Sequence, residues 1–307
     1  MAAAKRTRLL AMCGIVGLFI KNKALEPELG KLLGGMLEEM TDRGPDSAGF
    51  ALYGDSVAKR LKATLRAPCA ARACTVADEL GGRLDATAVV RDTHLVMSIA
   101  QDAVFALNDL LACDYQDLEL VGLGQRMEIY KEVGLPVQIS SRFGLASMAG
   151  SHAIGHTRMA TESAVTTDGA HPFSTGRDQC LVHNGSLSNH NRLRELLRRQ
   201  GMAIETMNDS EVGAAYLSWQ MREGLSLGAA LERSLSDLDG FYTFVVGTEN
   251  GFGVLRDPIA CKPAVMAETD DYVAFGSEYR ALADLPGIGH ARLFEPEPAT
   301  VYFWERS

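Results

Sequence analysis

This sequence has too few cysteines, too little positive charge and too short an apolar run for several large classes of protein. Six cysteines in 307 residues, at positions 13, 69, 74, 113, 180 and 261, include no CxxC pair and are too sparse to staple a small secreted fold. Neither a zinc site nor an iron–sulfur cluster is expected, and a reducing cytoplasm is the compartment that fits. The 30 lysines and arginines against 39 aspartates and glutamates leave a net charge of −9, and the basic residues gather into no stripe that would neutralise a phosphate backbone. That argues against nucleic acid as a partner. There is no Pro-, Ser- or Gln-rich tract and no internal repeat. The apolar run Leu9 to Ile20 follows Lys5, Arg6 and Arg8 in the manner of a secretory signal. However, Lys21-Asn22-Lys23 comes next with no small-residue cleavage site, and Met12 stands where a lipoprotein signal needs a small residue. The run also falls short of the roughly 20 residues that cross a bilayer. Neither export nor a membrane anchor is expected.

What is present suits a compact soluble protein, with 47% hydrophobic and 22% charged residues over a length appropriate to one or two domains. Cys13 to Ile20 is apolar and β-branched, and reads as a buried strand that begins at the cysteine. Pro27 can open a helix with Leu29, Leu32, Leu33, Met36, Leu37 and Met40 on one face. Arg43-Gly44-Pro45-Asp46-Ser47 is a turn by composition, and Phe50 to Tyr53 is a second strand. From about 55 to 151 the pattern is mixed, with helices expected over Ala103 to Ala112 and Gln125 to Val133 and a strand over His94 to Ile99. No linker fences this stretch off, so it reads as an insertion within one domain. Strands follow at Ala153 to Thr157 and Leu181 to His183. Amphipathic helices are then expected over Asn191 to Gln200, after the capping residues Asn208-Asp209-Ser210-Glu211, and over Leu227 to Leu238. Strands at Phe241 to Gly247, Phe252 to Arg256, Tyr272 to Phe275 and Thr300 to Trp304 come last.

Four short patterns carry residues suited to amide chemistry. They are Met12-Cys13-Gly14-Ile15-Val16-Gly17; Arg43-Gly44-Pro45-Asp46-Ser47; His156-Thr157-Arg158-Met159-Ala160-Thr161 with His171-Pro172-Phe173; and His183-Asn184-Gly185. Amide hydrolysis needs a nucleophile and a base that takes and returns its proton. An α-amino group titrates near about 7.7–8.0 and a thiol near about 8.5, so a chain-initial cysteine supplies both. Cys13 does so only if residues 1–12 are removed or never made. An Asn side-chain amide beside a Gly N–H offers two donors to an oxyanion. Each feature also has a plainer reading: Cys13 as a small buried hydrophobe, Asn184-Gly185 as a hairpin turn, Arg158 as a surface ion-pair partner, and Asp209 as a helix cap. His156, His171 and His183 lack the tight spacing of helical metal ligands, and no metal is expected.

Taken in this order and followed by Asn208-Asp209-Ser210-Glu211, the patterns resemble the class II glutamine amidotransferases of the N-terminal nucleophile hydrolase superfamily. The resemblance covers Cys13 to about Gly54 and Gly150 to about Leu285. It implies an α+β fold, a four-layer αββα sandwich of two antiparallel sheets. It implies Cys13 as the nucleophile and Asn184 with Gly185 as the oxyanion pair. Arg158 would bind the α-carboxylate of glutamine and Asp209 its α-ammonium, with Thr161, His171 and Arg43 lining or bracing the pocket. Two positions depart from the family: Met159 stands where many members carry an aromatic residue, and Glu162 where several carry histidine. Both bear on the subfamily and on the cover over bound glutamine more than on the reaction.

The resemblance calls for no cofactor. It reads 1–12 as a leader or mis-assigned start, and 13–307 as an amidotransferase domain with its insertion at about 55–151. The chain carries neither the pyrophosphate loop of amidophosphoribosyltransferases nor the ATP-pyrophosphatase loop of asparagine synthetases, so the ammonia acceptor is expected on a separate polypeptide. The long insertion and the Arg-Gly-Pro-Asp-Ser turn resemble the amidotransferase portion of glutamate synthase. Among stand-alone chains they resemble the amidotransferase-like subunits of N-methylglutamate synthase and related complexes. Partners would then be glutamate-synthase-like subunits carrying the flavin and any iron–sulfur cluster. Two readings remain open beside this one. One is a catalytically silent subunit of the same fold, if residues 1–12 stay attached; the other is an N-terminal nucleophile amidase for another amide, although Arg158 together with Asp209 favours a substrate bearing both backbone charges.

Overall fold

The computed structural model describes residues 13–159 and 165–306. Thr161 and the segment 1–12 lie outside the described residues. Strand β1 (Gly14–Ile20) leads to α1 (Leu29–Glu39) and β2 (Ser47–Tyr53). Next come β3 (Arg60–Arg66), α2 (Ala70–Leu84), β4 (Thr87–Arg91), β5 (His94–Ala100), α3 (Val104–Cys113) and β6 (Glu119–Gly124). They are followed by β7 (Met127–Val133), α4 (Pro136–Phe143), β8 (His152–Arg158), β9 (Phe173–Gly176) and β10 (Gln179–Leu187). The chain continues through α5 (His190–Arg199), α6 (Asp209–Arg222), α7 (Leu227–Asp237), β11 (Gly240–Gly247) and β12 (Gly251–Arg256). It closes with β13 (Val265–Glu268), β14 (Tyr272–Gly276), β15 (Arg292–Phe294) and β16 (Val301–Glu305).

Side-chain parity builds the layers. In β1, Ile15 and Phe19 join a core between two sheets, while Val16, Leu18 and Ile20 pack under α1 and α4 with Leu33, Leu37 and Phe143. Strand β2 divides the same way, with Ala51 and Tyr53 between the sheets and Phe50 and Leu52 beneath the helices. Across the sandwich, Val182, Val245 and Val254 face the inter-sheet core, whereas Leu181, Phe244 and Leu255 pack against α6 and α7. Both faces of each strand are therefore covered, which is why these segments read as continuous apolar runs. The sheets run β15-β13-β14-β1-β8-β2-β7 and β16-β12-β11-β10-β9, antiparallel throughout, giving the αββα sandwich of the N-terminal nucleophile hydrolases.

A third antiparallel sheet, β4-β5-β3-β6, lies within 60–124 and buries its own core of Leu61, Leu65, Val76, Leu80, Leu95 and Met97 beneath α2 and α3. Strand β7 does not belong to it. The helix expected over Gln125 to Val133 is instead a strand paired with β2, from Ser47 opposite Val133 to Tyr53 opposite Met127. Met127 and Ile129 enter the inter-sheet core and Tyr130 the helix side, an alternation that a short segment shares with an amphipathic helix until a pairing partner is known. Among the described residues no helix is long and apolar enough to cross a membrane.

Burial pushes His94, His152 and His156 down to about 3, so each stays neutral inside the fold. The unfolded chain takes up these protons near about 6.5 and so binds more of them in the interval between. Stability is therefore retained above about 6.5 and lost as pH falls through that interval. Each group is expected to cost up to about 2 kcal/mol at pH 5. Urea midpoints followed from about pH 7.5 to about pH 5 should fall accordingly, and His152→Gln should flatten the decline.

Candidate active site

Cys13 immediately precedes β1, whose first residue Gly14 lies opposite Thr157 of β8. A Cβ on Gly14 would come within 2.7 Å of Thr157 Oγ1 and 2.9 Å of Met40 Cβ, so the strand enters the sheet there only because the side chain is absent. The Cys13 carbonyl oxygen accepts from Asn184 Nδ2 at 3.0 Å and from Arg43 Nε at 3.2 Å. Arg43 is also ion-paired with Glu278, which in turn holds Arg280 at 2.8 Å. One residue on, Ile15 N–H donates to Ser277 Oγ and Ser277 N–H donates to the Ile15 carbonyl, each at 2.9 Å. Elements remote in sequence thus fix the backbone at the cysteine. The sulfur lies 4.0 Å from the Met159 carbonyl oxygen. Burial pushes the Cys13 thiol up, against the smaller opposing effects of that carbonyl contact and of the positive charges of Arg158 and Lys262.

Parity in β10 decides what reaches this point. Cys180 and Val182 face the inter-sheet core, so Asn184 does too and meets Cys13, whereas His183 turns toward α6. The Asn184-Gly185 pair is not a hairpin turn, because it lies inside β10 opposite Thr243 and Tyr242 of β11. Gly185 has φ +151°, and a Cβ there would sit 2.0 Å from the Phe241 carbonyl oxygen. Glycine is required here by close backbone approach as well as by conformation.

His183 Nδ1 and His171 Nε2 share the Ser210 hydroxyl at 2.9 and 2.8 Å. The His156 ring stacks on His171 at 3.9 Å, and its Nε2–H donates to the His183 carbonyl at 3.1 Å. Ser210 has one proton and two lone pairs, so at most one of its two imidazole neighbours accepts from it, and its proton can instead go to Asp209 Oδ1 at 3.4 Å. Desolvation lowers the pKa of all three imidazoles. Asn208, not Asp209, caps α6 by accepting from Ser210 N–H at 2.9 Å. Asp209 Oδ2 instead accepts from Leu187 N–H at 2.8 Å, and its Oδ1 lies 3.8 Å from His183 Nδ1. Arg158 ends β8, is 8% exposed and lies opposite Ser47 of β2. Gly169 passes so close that a Cβ there would be 3.1 Å from Arg158 Nη1.

Direct bonds therefore join Cys13, Arg43 and Asn184, and a second set joins His171, His183 and Asp209 through the Ser210 hydroxyl. The two sets meet where His183 precedes Asn184 in β10. Sequence reasoning missed Ser277, Glu278 and Lys262, whose ammonium sits 5.1 Å from the Phe241 ring centroid. No local pattern surrounds them. Ser210 was visible only as a capping residue.

Residues 156–284 match the model of a glutamine amidotransferase domain. The chain is 60% identical over 296 residues to the glutamine amidotransferase-like protein GlxB of Rhizobium meliloti, covering 96% of this chain and 98% of that one. This chain belongs to the class II glutamine amidotransferases. It is also 30% identical over 178 residues to the amidophosphoribosyltransferase of Bacillus subtilis, covering 56% of this amidotransferase and 37% of that protein. A solved structure of the B. subtilis glutamine phosphoribosylpyrophosphate amidotransferase shares the fold. It superposes with a TM-score of 0.61 at 21% identity, over 95% of this chain and 47% of that one. This amidotransferase thus spans about half of that larger chain.

Proposed function

We propose that this chain hydrolyses the side-chain amide of glutamine through Cys13, exposed as the N-terminal residue by loss of residues 1–12. The observation that carries the reading is the double clasp on the Cys13 carbonyl by Asn184 and Arg43, which joins the two sheets at the nucleophile. A buried, protonated thiol needs a base, and among the described residues no imidazole hydrogen-bonds to the sulfur. The freed α-amine of Cys13 fills that role. It takes the thiol proton as sulfur attacks the glutamine δ-carbon, and returns it to nitrogen as the C–N bond breaks and ammonia leaves. Water then cleaves the thioester, yielding glutamate. One N–H of the Asn184 amide serves the Cys13 carbonyl, which leaves the other, with the Gly185 N–H, for the oxyanion.

Arg158 takes the α-carboxylate of glutamine and Asp209 its α-ammonium, with His171, Arg43 and Thr161 bracing the pocket. Asp209→Asn keeps an acceptor for Leu187 N–H while removing the charge. Its kcat/KM for glutamine should fall about 10- to 100-fold, mostly through KM, as steady-state glutaminase kinetics will read. Ammonia passes to a glutamate-synthase-like partner of the N-methylglutamate synthase type, and the free cysteines support a cytoplasmic setting.

Intact mass and N-terminal sequencing of protein from its native host, with a glutaminase assay on the same sample, test the proposal. A chain that begins at Cys13 and releases ammonia from glutamine supports it. A chain that keeps residues 1–12 and is inert with its partners replaces it with a silent subunit of the same fold. Turnover of other amides in preference to glutamine replaces it with the amidase reading.

A further inference from the structure

The four-stranded sheet reaches the proposed substrate site through an ion pair. Residues 166–170 form a turn closed by Gly169 N–H to Thr166 Oγ1 at 3.3 Å and Ala170 N–H to the Thr167 carbonyl at 2.9 Å. Gly169 of this turn lies against the Arg158 guanidinium, and His171 follows directly. Two side chains tie the turn down from outside. Thr167 Oγ1 bonds to Glu132 at the end of β7, and Asp168 pairs with Nη2 of Arg66 in β3. Arg66 is itself aimed by its cross-strand neighbour Glu119, whose Oε2 accepts from Arg66 Nε at 2.7 Å. The other oxygen of Glu119 lies 3.7 Å from the buried Lys131 ammonium. The guanidinium therefore approaches Asp168 from a support that is already fixed.

We propose that Arg66 is a positioning residue for glutamine: from the inserted sheet it holds the 166–170 turn against Arg158 and so sets the affinity of the α-carboxylate subsite. This rests on the assignment of Arg158 to that carboxylate. It gives the insertion a part in substrate binding through an ion pair, and residues outside the amidotransferase motifs then control KM. Asp168 is largely exposed, so the pair is screened by salt and its effect is modest.

The test is glutamine binding by calorimetry in the full chain carrying Cys13→Ala, which removes turnover from the measurement. Arg66→Gln and Asp168→Asn are compared there alone and together. Each single change is expected to weaken binding about two- to fivefold, with the double variant no worse than either, because both remove one interaction. In the catalytically competent chain the same variants should raise KM and leave kcat unchanged, a split that general loss of stability does not produce. Wild-type affinity in Asp168→Asn, or additive losses in the double variant, overturns the proposal. Absence of any glutamine binding with Arg66 and Asp168 both intact overturns the glutamine reading itself and the proposal with it.

Discussion

Cys13→Ala should abolish ammonia release from glutamine, by at least about 10⁴-fold, because no other group in the site takes over covalent attack. The fold should survive the change. The thiol's contact with the Met159 carbonyl, at 4.0 Å, is weak, and the carbonyl that Asn184 and Arg43 hold belongs to the backbone and is retained. The distinguishing measurement is made on the complex assembled with the proposed synthase partner. Glutamine-dependent synthesis should disappear while synthesis from added ammonium salt continues. Loss of both activities would mean that Cys13 serves the acceptor chemistry or the assembly, and would count against a glutaminase role.

Asn184→Ala should lower kcat by about 10²–10³-fold with KM for glutamine little changed, the signature of a donor used mainly in the transition state. The expectation is specific because the Asn184 amide is positioned by the strand pairing of its own backbone, opposite Thr243, and its side chain donates directly to the Cys13 carbonyl. Steady-state kinetics of purified protein decide it. A rise in KM at constant kcat would instead assign Asn184 to holding ground-state glutamine. Gly185 offers no equally clean substitution, since a Cβ there collides with the Phe241 carbonyl and any loss of activity would be confounded with misfolding.

Much of the fold was legible because both faces of the central strands are buried, so β1, β2 and β11 appear as apolar runs of strand length, and β8 and β10 as shorter apolar stretches that end in polar residues. The segment 127–133 was not legible. Its few apolar residues fit either period, and only pairing with β2 selects the extended form. The site divides similarly. Cys13, Arg158, Asn184 and Asp209 stand in recognisable local patterns, whereas Ser277 reaches Ile15 and Glu278 reaches Arg43, both next to the cysteine, only because β14 lies beside β1 in the sheet.

By itself the sequence determined the family, the periodicities that make two covered sheets, and the residue types that amide chemistry requires. Tertiary structure decided where those residues act. It extended β10 through Asn184 and Gly185 where the dipeptide alone favours a turn, because antiparallel pairing with β11 satisfies that backbone. It gave the helix cap to Asn208 and turned the Asp209 carboxylate back toward β10. It also brought Arg66 of the four-stranded sheet to Asp168 across 102 positions of chain. Each of these outcomes depends on contacts between residues distant in sequence, and local propensity carries no information about them.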